Sequence, residues 1–147
     1  MTEKDLSSIR KLELRKKHYI DLIHKLENEA TLLSAPGLTP DKVQTSTDGH
    51  RMEAVVTDLL EARERLTRLI ANTERQREYI VRQIHRLEDP RHVQILYEKY
   101  VNIDIASDFT VRDKSLDEIA DHLGYSRAHT YRLYLDAVRA FCRLRKR

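Results

Sequence analysis

Arg127, Ala128, His129, Tyr131 and Arg132 fall on the outer face of a segment with helical periodicity, and Ser126 stands directly before it. A guanidinium can bond bidentately to guanine or simply neutralise a phosphate, and a Ser at a helix N-terminus can hold a phosphate together with the free backbone N–H groups. Arg139 and Arg143 follow along the same segment, with Arg145, Lys146 and Arg147 behind them. Side chains of that kind track a nucleic-acid backbone and position a protein without reading sequence. Over residues 127–147 seven basic residues stand against Asp136, whereas residues 89–126 carry eight acidic residues against four basic ones. A basic end after an acidic stretch sets up a directed field suited to an anionic partner. The candidate DNA contacts are therefore Ser126, Arg127, Ala128, His129, Tyr131, Arg132 and Arg139.

Other chemistry finds little to build on. The seven histidines, at 18, 24, 50, 85, 92, 122 and 129, show no HxxxH pair and no nearby Cys ligand set, so no metal or other cofactor is expected. Three glycines could scarcely form a phosphate-cradling loop, and the carboxylates lie on charged helix faces. Cys142 is expected on the inner side of a helix end, as a packing residue. No enzyme is expected.

The elements that must position the basic face are legible in the preceding residues. Ser115-Leu-Asp-Glu118 reads as a capping box. It opens a short helix, Leu116 to Leu123, that ends at Gly124, a residue that tolerates a left-handed turn. Ser126 caps a second helix running to about Arg143. Ile119, Ala120, Leu123, Tyr125 and Leu133 fall where a helix-turn-helix needs core contacts, with Ala120 small enough for close crossing. Thr130 takes an inner position where an aliphatic residue is more usual; its methyl is expected to pack and its hydroxyl to bond back to the preceding turn. Asp89-Pro90 starts an earlier helix that is expected to bury Val93, Leu96, Tyr97, Tyr100 and Val101. Between the two, residues 102–114 fit either a short strand or a packed loop.

The first two thirds of the chain carry a different pattern. Leu12, Tyr19, Leu26 and Leu33 repeat every seven residues, with Ile9, Ile23 and Ala30 on a second seam that Lys16 interrupts. Two prolines and a glycine within residues 34–40 stop the helix, and a loop is expected over residues 34–50. Met52, Leu59, Leu66, Thr73, Ile80 and Leu87 then repeat every seven residues, accompanied by Val56, Ile70 and Ile84, with Arg63 and Arg77 as intrusions. That stripe fits a seam of coiled-coil type. The two helices are expected to form an antiparallel hairpin over residues 1–88, a scaffold and oligomerisation arm. Arg63 and Arg77 either set register or pair with acids across a dimer, or lie at the edge with their stems packed. Val55, Leu60, Leu69 and Val81 widen the apolar face, which calls for a third surface: the C-terminal unit or a second copy of the chain.

Composition agrees with this reading. The 147 residues are 35% charged and 40% hydrophobic, with three Gly, three Pro and no Trp, a balance that favours long helices. Apolar runs are too short to span a membrane. MTEKDLSSIRKLELRKK lacks the apolar core of a secretory signal. One cysteine cannot make an internal disulfide. A soluble, cytoplasmic, all-α chain is expected: the hairpin arm over 1–88 followed by a helix-turn-helix domain over 89–147.

Residues 89–142, with SLDEIADHLGYSRAHTYRLYLDAV at their centre, resemble region 4 of sigma-70-type factors. The whole layout resembles the ArpU/RinA-like phage transcriptional regulators: a helical arm, a DPRH helix start, then IADHLGYS and a basic helix. The resemblance covers the C-terminal third well and the arm in kind. It implies a bacterial or phage protein acting on transcription, often as an activator of late genes, with Arg127, His129, Tyr131 and Arg132 as recognition-helix contacts. The long 102–114 connection departs from the short turn usual in such proteins. The expected partners are double-stranded DNA, further copies of the chain with a dimer favoured, and RNA polymerase. Two other readings remain open: a packaging protein of the small terminase type, and a sigma-like adaptor that binds RNA polymerase and little DNA.

Overall fold

The computed structural model describes residues 1–34 and 47–144. The fold is all-α: α1 (Glu3–Ser34), α2 (Thr47–Ile84), α3 (Pro90–Leu96), a π-helical turn (Tyr97–Val101), a two-stranded ribbon of β1 (Asp104–Ile105) and β2 (Val111–Arg112), α4 (Leu116–Leu123) and α5 (Arg127–Arg143). Helix α2 begins at Thr47, earlier than the expected loop boundary at residue 50, and the rest of that expected loop lies outside the described residues. No helix among the described residues is long and apolar enough to cross a membrane.

The described chain forms two compact units. One comprises Met1–Arg15 with Thr73–Arg147, the other Lys16–Asn72. In the first, a single core joins Leu6, Ile9 and Leu12 of α1 and Ile80 and Ile84 of α2 to Ile95, Leu96, Ile119, Leu133, Ala137 and Phe141. Leu6 was not on the seven-residue seam, yet it is fully buried, because the start of α1 meets the C-terminal elements as well as α2. Glu13 of α1 forms an ion pair with Arg77 of α2, and Arg10 reaches Asp113 at 2.6 Å. The Arg77 guanidinium is mostly buried, so this seam intrusion is answered by an acid within the same chain.

In the second unit, taken by itself, Arg63 of α2 is bound to Glu27 of α1 at 3.2 Å. Leu22, Ile23, Leu26, Leu59, Leu66 and Ile70 are half-buried there. Met52, Val55, Val56, Leu60 and Leu69 remain exposed, Leu60 by 56%. Met52 and Val56 therefore stay open to solvent although both lie on the expected seam.

After α3 the helix departs from expectation. The chain widens by one residue per turn, and Asn102 donates its N–H to the Tyr97 carbonyl at 2.8 Å. Tyr97, expected inside, is 40% exposed, while Ile95 and Val101 are buried. Neighbouring groups hold the widened turn. Lys99 Nζ donates to the Lys114 carbonyl at 2.6 Å, the Tyr100 and Tyr134 hydroxyls share a hydrogen bond of 2.6 Å, and Glu98 accepts from Lys114 at 2.7 Å. The connection from 102 to 114 resolves into the antiparallel β1–β2 ribbon, with Ile105 opposite Val111. Asp108 accepts from the Thr110 N–H and hydroxyl at the turn, beside Phe109 in a left-handed conformation at φ 64°.

Candidate nucleic-acid interface

Local hydrogen bonds set the geometry of the basic face. Ser115 Oγ accepts from the Glu118 N–H, and the Glu118 carboxylate accepts from the Ser115 N–H at 2.9 Å, which completes the capping box of α4. Gly124 ends α4 at φ 70°, a conformation costly for any residue with a Cβ. Two residues later Ser126 accepts from the His129 N–H at 3.2 Å and starts α5. The turn is thus tied on both sides, and α5 is directed by bonds that its own sequence encodes. Ile119, Ala120 and Leu133 are buried beneath it, and Leu123 and Tyr125 are half-buried.

Ser126, Arg127, Ala128, Tyr131, Arg132 and Arg139 are exposed, and His129 is half-buried with its ring edge-on to Tyr125 at 5.1 Å. Helical spacing divides them into two sectors. Arg127 and Tyr131 lie one turn apart on the flank nearer α4, and Arg127 approaches Asp117 of α4 at 3.7 Å. Both partners are well exposed, so that pair constrains Arg127 weakly. His129, Arg132 and Arg139 instead face α3, where Arg91, His92 and Arg143 line the same cleft. Ala128 lies between the two sectors, where its small side chain leaves room for close approach.

Two corrections follow from the same helix. Cys142 is exposed, not packed inside: α5 turns Phe141 fully into the core, which places the next residue outward. Thr130 is fully buried as expected, but its hydroxyl has no hydrogen-bond partner among the described residues and makes no bond to the preceding turn.

Sequence reasoning missed the α3 wall. Asp89 caps α3 by accepting from the Arg91 N–H at 2.9 Å, and it also receives the Arg91 side chain at 3.1 and 2.8 Å. The side-chain bonds from Arg91, then its backbone N–H, hold the Asp89 carboxyl at about 2. Asp89 is therefore an anion at neutral pH and braces Arg91 at the edge of the cleft. The DPRH start was visible as a helix signal, but only the packing of α3 on α5 brings Arg91 and His92 beside Arg132. Among the described residues no group of His, Cys, Asp and Glu is arranged to hold a metal ion.

No curated protein and no solved structure matches the chain. A family described as Protein of unknown function (DUF1492) matches residues 32–141. That match covers well over half of the sequence and extends from the end of α1 to the end of the α5 core, so the chain belongs to the DUF1492 family.

Proposed function

We propose that this chain is a sequence-specific DNA-binding regulator of transcription, and not an enzyme, that reads the major groove of double-stranded DNA with α5. The observation that carries the proposal is the outer face of α5. It presents Arg127, Ala128, Tyr131, Arg132, Arg139 and Arg143 to solvent, with Asp136 as the acid among them, on a helix held by a capped start and a glycine turn. In a helix-turn-helix protein the second helix lies in the major groove with its first residues on the base edges. Arg127, Ala128 and Tyr131 occupy that place here, and Ser126 with the α5 N-terminus fits an adjacent phosphate.

The resemblance to sigma-70 region 4 and to the ArpU/RinA-like regulators supports the same reading: a phage or prophage activator of late genes, working in the cytoplasm of a bacterial or infected cell beside RNA polymerase. The arm supplies association between copies. Its exposed Met52, Val55, Val56 and Leu60 form an apolar surface that a dimer would cover. Selection of bound duplexes from a random DNA pool with the full-length protein, at two salt concentrations, tests the reading. An enriched motif, and above all a two-fold repeat, is the expected result. Salt-sensitive retention with no motif would overturn sequence-specific reading and leave an electrostatic anchor.

A further inference from the structure

A cleft of about 670 Å³ separates the start of α3 from the flank of α5, with Arg91 and His92 on one wall and Arg132, Arg139 and Arg143 on the other. Its floor is apolar, made by Leu133 and Ala140. The two carboxylates that line it are engaged on their own elements: Asp89 with Arg91 at 2.8 Å, and Asp136 with Arg139 at 3.4 Å. Arg132 gives its Nε to the Ala128 carbonyl of its own helix at 3.3 Å, and its side chain is exposed with no carboxylate partner among the described residues. The Arg143 guanidinium has no partner among the described residues. Four guanidiniums against two carboxylates leave a positive balance, before any charge on His92 and His129.

We infer that this cleft holds the phosphodiester backbone of a DNA strand, gripped from α3 and α5 together. The inference rests on the DNA-binding reading and deepens it: α3, which stands outside the helix-turn-helix pair, fixes how α5 lies on the duplex. The shape of the charge favours a backbone over a small anion. Arg132, Arg139 and Arg143 run along one line of α5 over about 16 Å at 1.5 Å per residue, which suits a repeating anion. Guanidiniums on opposite walls present planar pairs of donors that match phosphate oxygens. Asp89 engages Arg91 at the edge of the cleft and offsets part of its charge, so a phosphate there shares that guanidinium with the carboxylate.

The test uses the full-length protein with its selected duplex and with a scrambled one, across a series of salt concentrations. Removing one phosphate contact makes the slope of log K against log salt shallower by about 0.9. Arg91→Ala and Arg143→Ala are each expected to show that change on both duplexes while the preference between duplexes stays the same. Asp89→Asn keeps a capping side chain, removes the opposing charge and is expected to tighten binding to both. Thermal unfolding checks that the variants fold, and the opposite signs of Asp89→Asn and Arg143→Ala decide the matter even where Arg91→Ala is unstable. Wild-type slopes in these variants, with the wild-type protein binding DNA, would overturn the cleft while leaving the DNA reading intact. A lost preference between duplexes would overturn it too, since the cleft would then be reading bases. Failure of the wild-type protein to retain any duplex would overturn both.

Discussion

The hydroxyl of Thr130 lies fully buried in α5 with no hydrogen-bond partner among the described residues, on a helix that otherwise buries Leu133, Ala137 and Phe141 on the same side. An unsatisfied buried hydroxyl costs about 1–3 kcal/mol of desolvation. Thr130→Val keeps the branched shape and removes the polar atom, so it is expected to stabilise the chain by about 1 kcal/mol. Differential scanning calorimetry should show Tm higher by about 2–4 °C for a chain of this size; an unchanged or lower Tm would mean that the hydroxyl finds a partner in solution. Tyr100 presents the opposite case. Burial first, and then the bond to Tyr134, push its phenol well above the usual range, and its hydroxyl shares a 2.6 Å bond with that of Tyr134. Tyr100→Phe is expected to cost about 1 kcal/mol in urea unfolding, because it strands the half-buried Tyr134 hydroxyl.

The caps and the turn between α4 and α5 were legible because their causes are local. Ser115, Glu118, Gly124 and Ser126 bond to backbone within a few residues of themselves, and the structure places the boundaries of α4 and α5 where those residues put them. Ser115→Ala is expected to lower stability by about 1 kcal/mol. Gly124→Ala should cost about 1–2 kcal/mol: a Cβ there would meet nothing within 4 Å, so the penalty is that of the left-handed backbone. The π-helical turn was not legible, since the groups that hold it lie 15 and 34 residues away in Lys114 and Tyr134. Tyr97 was misplaced for the same reason. Glu98 on that turn is 13% exposed. Burial works against its charge, yet the hydrogen bonds from Lys114 and Asn102 and the charges of Lys114 and His122 outweigh it and lower its pKa. A depressed carboxyl stabilises the fold above its unfolded value, about 4.3, and that contribution fades as the pH falls through the folded value. Glu98→Gln is therefore expected to weaken the protein at neutral pH and to show a flatter loss of stability in acid than the wild type, measured by urea unfolding over the acid range. Parallel acid profiles for the two proteins would remove Glu98 from the account.

At the scale of the molecule, the seven-residue pattern announced the hairpin, and the basic face of α5 announced a candidate site. The pattern could not show that the start of α1 and the end of α2 belong to the same core as α4 and α5. Periodicity reports which face of a helix is apolar, and the partner of that face depends on how the chain folds back. Leu6, Ile9, Leu12, Ile80, Ile84 and Leu87 lie before residue 89, and each is at most 9% exposed in the core that also holds Ile119, Leu133 and Phe141. Full burial of a Leu or Ile side chain contributes about 1.5–3 kcal/mol, so these six together contribute on the order of 10 kcal/mol. A domain of this kind has about 5–15 kcal/mol of net stability. An excised fragment of residues 89–147 is therefore expected to lose its fixed tertiary structure, and with it any cleft between α3 and α5. A chain in which residues 16–72 are replaced by a short Gly-Ser linker keeps every one of those side chains and should fold, because Glu13 and Arg77 already stand side by side at the cut. Amide hydrogen exchange on the two proteins checks this directly. Protection of α5 in the linked chain and its loss in the fragment is the expected result; equal protection in both would show that the C-terminal elements fold without the base of the hairpin.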